Sequence, residues 1–159
     1  MANETTFLGE FEYALDKQRR FSVPKSWRSP EGPSLFYLLP GRGNCLQLIS
    51  EAVFSDLKSK IRQVSFTNPT VSKALAQIGA MAQECLCDKQ GRIALSPKLK
   101  SYAKIDSEIT LVGAITTAQI WSSESWKASS EDDGEALLDV IDKLFASNDS
   151  NDFLNMLGQ

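Results

Sequence analysis

Asp16-Lys17-Gln18-Arg19-Arg20 returns 72 positions later as Asp88-Lys89-Gln90-Gly91-Arg92. The offset holds outward from these two stretches. Gly41 falls on Gly113, Leu39 on Leu111, Gln47 on Gln119 and Ser50 on Ser122. Leu48 and Ile120 match in kind, as do Phe54 and Trp126. A register kept over about forty residues with no net insertion marks an internal duplication, so whatever the module does it does twice.

The residues around the repeated stretch set its local form. Phe7, Phe11, Tyr13 and Leu15 alternate with Leu8, Glu10, Glu12 and Ala14, the period of a half-buried strand. Asp16 to Arg20 interrupts it and Phe21-Ser22-Val23 resumes it, which predicts a hairpin with its charges at the tip. In the second copy Glu84-Cys85-Leu86-Cys87 leads in and Arg92-Ile93-Ala94-Leu95 leads out, and Gly91 suits a turn position of positive φ. Ser96-Pro97 predicts a helix start, with Ser96 as cap and Pro97 at the first helical position, the role Pro24 takes in copy one. Extended segments over 35–39 and 109–112, then 46–49 and 118–121, complete each unit. Ser50 predicts the cap of a helix running to Val64, and Pro69 to Ala80 a connecting helix. The chain thus divides into a first repeat over 6–60, a connecting helical segment over 61–80, a second repeat over 81–127 and an extension over 128–159.

That extension differs in character. Residues 1–126 hold 15 Lys and Arg against 12 Asp and Glu, a balance of +3, whereas 127–159 hold 2 against 8, a balance of −6. Ser129 to Gly134 reads as a solvated linker, and Leu137, Leu138, Ile141, Leu144 and Phe145 recur at helical spacing. An acidic tail on a mildly basic body is one pattern that nucleic-acid partners select.

Composition excludes several classes. There is no histidine, which removes the usual general base and the commonest zinc ligand. Asp16, Asp88 and Lys89 are the only ionisable candidates for chemistry, and nothing groups them into an acid–base pair, so no enzyme, cofactor or small-molecule substrate is expected. Cys85 and Cys87 alternate on a strand without two further ligands nearby, which argues for packing and against a metal site. Trp27, Trp121 and Trp126 read as core or subunit-interface residues. No apolar run approaches the roughly 20 residues of a membrane span. The opening Met1-Ala2-Asn3-Glu4 lacks the plan of a secretion signal, and three cysteines are an odd number for a disulfide framework; these features predict the cytoplasm.

Two Asp-x-x-x-Arg turns about seventy residues apart, each followed by a proline-started helix, resemble the MraZ family. Asp88-Lys89-Gln90-Gly91-Arg92-Ile93 is close to that family's pattern. So are Phe7-Leu8-Gly9-Glu10, Gly43-Asn44-Cys45-Leu46, and Leu111-Val112-Gly113 before Ile120-Trp121. The resemblance covers residues 6–127. It implies an α+β fold: an AbrB-like swapped-hairpin β-barrel built from two tandem repeats of one chain, flanked by short helices, here with an acidic helical tail. It further implies a homo-oligomeric ring that regulates transcription of its own division and cell-wall gene cluster, binds tandem repeats in double-stranded promoter DNA, and is associated with the nucleoid. DNA contact by the hairpins falls on Arg20 in copy one and Arg92 in copy two.

Family turns carry glycine before the arginine; Gly91 fits and Arg19 departs. Either the first turn has a different geometry, or Arg19 holds a positive φ and adds a charge at the contact surface. Arg20, Arg19, Lys17 and Gln18 form the first candidate contact set, Arg92 and Lys89 the second, with Lys25 and Arg28 as phosphate contacts beside the first hairpin. Asp16 and Asp88 are assigned to the turns themselves, bonding turn amides or pairing with the arginine four places on, and Gly91 to turn geometry. The competing class is an oligomeric scaffold whose basic hairpins bind acidic protein surfaces without reading DNA.

Overall fold

The computed structural model describes residues 5–64, 67–129 and 134–158. Strands β1 (Glu10–Ala14) and β2 (Arg20–Ser22) are followed by a 3-10 turn over Lys25–Trp27, then by β3 (Leu35–Pro40) and β4 (Leu46–Ser50). Helices α1 (Glu51–Arg62) and α2 (Pro69–Met81) lead to the second copy: β5 (Gln83–Leu86), β6 (Arg92–Ala94), α3 (Pro97–Tyr102), β7 (Glu108–Gly113), β8 (Ala118–Ser122) and α4 (Ser123–Ser129). Helices α5 (Gly134–Ala146) and α6 (Ser150–Leu157) complete an α+β chain.

The eight strands are antiparallel. Six form one sheet in the order β1-β7-β8-β4-β3-β5, and β2 and β6 form a separate ribbon. The arms of each expected hairpin do not pair with each other, which corrects the simplest reading of the sequence. β1 pairs with β7 of the other copy, β5 pairs with β3, and β2 pairs with β6. The turns do close locally, through Arg19 N–H to Asp16 O at 3.0 Å and Gly91 N–H to Asp88 O at 2.9 Å. Strand β2 pairs instead with β6, where Phe21 and Ile93, 2% and 3% exposed, face each other across the ribbon.

Repeat-equivalent residues oppose one another at two places, as an internal twofold requires. Phe21 faces Ile93 in the ribbon, and Gln47 faces Gln119 between β4 and β8. The core between them is shared by both copies, with Val23, Trp27, Leu38, Leu46 and Leu48 meeting Leu95, Leu99, Ile109, Leu111 and Ile120. Trp27 and Leu99 are repeat equivalents, and both are fully buried. The Trp27 ring stands edge-on to Phe7 and Phe11 at 5.3 and 5.4 Å, and its indole N–H donates to Leu8 O. That places Trp27 in the core.

Local chemistry explains where the copies diverge. Ser96 Oγ accepts from Leu99 N–H, with Pro97 at the first helical position, so α3 is a true helix. In copy one the proline is displaced by one residue: Pro24 occupies the cap position and offers no side-chain acceptor, so only a 3-10 turn forms. Ser50 and Ser122 both cap helices, accepting from Val53 and Ser125 N–H. The expectation for Ser50 omitted α4, which its repeat partner Ser122 starts. Gly9, at φ +103°, ends the alternation that begins at Phe7, so β1 starts only at Glu10.

Two compact units are present, one ending at Trp126 and one starting at Lys127. In the second, Asp149 caps α6 through Asp152 N–H, while Leu138, Ile141, Leu144, Phe145 and Leu154 remain exposed. Residues 130–133 of the expected linker lie outside the described residues.

Candidate nucleic-acid interface

The two repeated stretches adopt the same turn. Asp16 Oδ1 accepts from Gln18 N–H at 2.8 Å and Arg20 N–H at 2.9 Å, and its Oδ2 accepts from Arg20 Nε at 2.7 Å. Asp88 does the same with Gln90 N–H at 2.8 Å, Arg92 N–H at 2.9 Å and Arg92 Nε at 3.0 Å. Each aspartate thus bonds turn amides and pairs with the arginine four places on. These bonds, led by the arginine backbone N–H, hold both carboxyls below the usual aspartate value, so both are ionised at neutral pH.

The ribbon brings the two turns together. Arg20 lies opposite Ala94 and Arg92 opposite Ser22. Residues opposed in an antiparallel ladder share a face, so both arginines stand on the side away from buried Phe21 and Ile93. They are diagonal neighbours, a relation that sets Cα atoms about 7–8 Å apart. Arg92 Nη1 also lies 4.0 Å from Asp16 Oδ2, linking the copies electrostatically. Lys17, Gln18, Lys89 and Gln90 are exposed at the two tips. Gln90 was absent from the expected contact set, although the 72-residue offset places it on Gln18.

Arg19 resolves the open alternative about the first turn. It holds φ +60°, the same region as Gly91 at φ +76°, so the two turns share one geometry. Its Nε donates to Leu95 O at 3.0 Å, and its own carbonyl accepts from Leu95 N–H at 2.9 Å. The second turn is fastened in the same backbone manner, Val23 N–H donating to Gly91 O at 2.9 Å. Arg19 therefore clamps its turn to the other copy.

Gly91 is glycine for a second reason. A Cβ there would run into the Arg28 guanidinium, which lies across the turn. Arg28 thus reaches from copy one onto copy two, while Lys25 stays exposed on its 3-10 turn. Neither the Lys25 position nor the Arg28 contact with Gly91 is legible from spacing, because both follow from the fold.

Among the described residues no group of three or more His, Cys, Asp and Glu is placed to hold a metal ion, and no helix is long and apolar enough to cross a membrane. The three cysteines are buried free thiols. The arrangement's chemical capacity is hydrogen-bond donation by paired, aspartate-held guanidiniums, flanked by lysine and glutamine.

Fold and surface define a class: a duplicated α+β module that carries one arginine-bearing turn twice on a shared two-stranded ribbon. A family model described as "MraZ protein, putative antitoxin-like" matches residues 6–76 and 78–143. The chain is 33% identical over 142 residues to a protein of Desulforamulus reducens named transcriptional regulator MraZ, covering 85% of this chain and 99% of that one. Proteins of the same name from Carboxydothermus hydrogenoformans and Alkaliphilus oremlandii are 32% and 30% identical, covering 85% and 87% of this chain and 99% and 96% of theirs. The chain belongs to the MraZ family.

Proposed function

We propose that this chain is a sequence-specific DNA-binding transcriptional regulator whose reading head is the β2–β6 ribbon. One observation carries the reading: Arg20 and Arg92 stand on one solvent face, each fixed by the aspartate four residues before it. A major groove admits a two-stranded ribbon, and an oriented guanidinium matches guanine O6 and N7. Lys17, Gln18, Lys89 and Gln90 at the tips reach adjacent base edges and phosphates, and Lys25 and Arg28 flank them. Arg19 contributes charge from its clamped position. The names of the relatives support the regulatory role.

The exchange of strands between copies supports the AbrB-type swapped-hairpin arrangement. In a homo-oligomeric ring, ribbons repeated around the assembly meet tandem promoter repeats, and effective concentration turns weak single contacts into tight binding. The regulated promoter is that of its own division and cell-wall gene cluster, which places the protein on the nucleoid.

The test is binding to DNA from upstream of the chain's own coding region, for wild type and Arg20→Ala, over a salt series. Loss of Arg20 should cost about 1–3 kcal/mol and flatten discrimination against scrambled DNA. Equal wild-type affinity for native and scrambled DNA would overturn base reading and favour the scaffold alternative. Equal affinity for one repeat and for several in phase would remove the ring argument.

A further inference from the structure

A cleft of about 440 Å³ opens between the 28–34 loop and the second turn, with Arg28, Ser29, Cys87, Asp88 and Lys89 among its walls. Its charges do not balance. Asp88 already accepts three hydrogen bonds and is neutralised by Arg92. Neither Arg28 nor Lys89 forms an ion pair among the described residues. The Arg28 Nε is shut from solvent and has no acceptor. The Arg19 Nε, on the first turn, is by contrast satisfied by Leu95 O. The Arg28 Nε, closed to solvent, cannot itself meet an acceptor from outside the chain, so the pull on a ligand rests on the two unpaired charges that line the cleft.

We infer that this cleft is a phosphate site, with Arg28 and Lys89 as its cationic walls. Two uncompensated cations match the charge of about −1.5 to −2 that a phosphate monoester carries at neutral pH. The planar guanidinium offers the paired N–H geometry that phosphate oxygens accept, and the lysine adds a point charge. The cleft has room for the phosphate and for part of the group that bears it. The phosphate comes either from a DNA backbone lying against the second turn or from a free phosphorylated small molecule. The DNA source rests on the function proposed above, and the free source does not. Because Arg28 covers Gly91, occupancy would set the position of the turn that carries Arg92.

The experiment uses the full chain and observes inorganic phosphate by phosphorus NMR at constant chloride ionic strength. Wild type should broaden the phosphate line saturably. Arg28→Gln and Lys89→Gln should each weaken the effect at least tenfold, and Arg28→Lys should restore part of it. Circular dichroism of each variant separates loss of the site from loss of fold. Adding the upstream duplex then assigns the source. Release of phosphate identifies the backbone as occupant, and retention with DNA bound identifies a free phosphate ligand. If wild type gives no saturable broadening, or if Arg28→Gln and Lys89→Gln broaden the line as wild type does, the site does not exist, whether or not the duplex binds.

Discussion

Asp16 touches the arginines of both copies: its Oδ2 lies 2.7 Å from Arg20 Nε and 4.0 Å from Arg92 Nη1. Asp88 has only its own arginine among the described residues, at 3.0 Å. The internal twofold is therefore broken at the point where the ribbon meets its partner. Asp16→Asn should loosen both guanidiniums, whereas Asp88→Asn should loosen only Arg92. In binding to the upstream duplex, Asp16→Asn should lose more affinity and more discrimination than Asp88→Asn. Equal losses would mean that the longer contact between the copies contributes nothing.

The same carboxylates set a pH limit. Both have folded pKa values below the ordinary 3.8, first because the arginine backbone N–H bonds the charged form. A depressed pKa means the folded state binds fewer protons than the unfolded one, so this stabilisation is complete above the unfolded value. It is lost only as pH falls through the folded one. Turn geometry should therefore persist from neutral pH down to 3.8 and be lost below it, as pH falls through the depressed folded values. Carbon NMR of the two carboxyls should give midpoints under 3.8. Arg20→Ala should raise the Asp16 midpoint by removing its side-chain bond while leaving the backbone bond in place. A midpoint at the free-aspartate value in wild type would remove the turn bonds from solution.

Arg19 and Gly91 occupy equivalent left-handed positions with different side chains, and their substitutions should differ accordingly. A left-handed non-glycine residue costs roughly 1–2 kcal/mol. Gly91→Ala meets that strain and displaces the Arg28 guanidinium as well, so urea unfolding should show a loss of at least about 1 kcal/mol. Arg19→Gly relieves the strain but loses the bond to Leu95 O, leaving stability within about 1 kcal/mol of wild type. Arg19→Ala keeps the strain and loses the bond, and should fall below Arg19→Gly by about 1 kcal/mol. The reverse order of the two Arg19 variants would show that the turn does not hold its positive φ.

The duplication was legible because both copies kept the turn itself: Asp16 and Asp88 must bond the same amides, so spacing and residue type survived together. Helix starts were legible at Ser50 and Ser96, where a capping serine precedes the helix, although the same cap at Ser122 went unread. Strand partners were not. Phe11 and Tyr13 alternate in the same way whether β1 pairs with β2 or with β7, since period tells which face is buried and not against what. The Arg28 contact with Gly91 was invisible for a related reason. It joins residues 63 apart in the chain through a loop without periodicity. Gln90 and the start of α4 were within reach of the sequence, since the 72-residue offset sets them on Gln18 and on the helix that Ser50 caps.

Cys85 supplies a test of the shared core that does not involve DNA. It lies on β5 opposite Phe36, 3% exposed, and burial pushes its thiol from 9.0 up to about 12, with Cys87 and Glu84 adding to the shift. A thiol whose folded pKa is raised stays protonated in the native state while the unfolded chain ionises, so stability is unaffected below pH 9.0 and falls as pH rises toward 12. The slope from one such group is about 1.4 kcal/mol per pH unit. Tyr37, Cys45 and Cys87 are raised as well and steepen the wild-type curve. The comparison with Cys85→Ala isolates Cys85. Urea unfolding of both proteins at pH 8, 9, 10 and 11 should show their stabilities converging above pH 9. Parallel curves, or ready alkylation of Cys85 in the folded protein at pH 8, would place it outside the core that β3 and β5 build together.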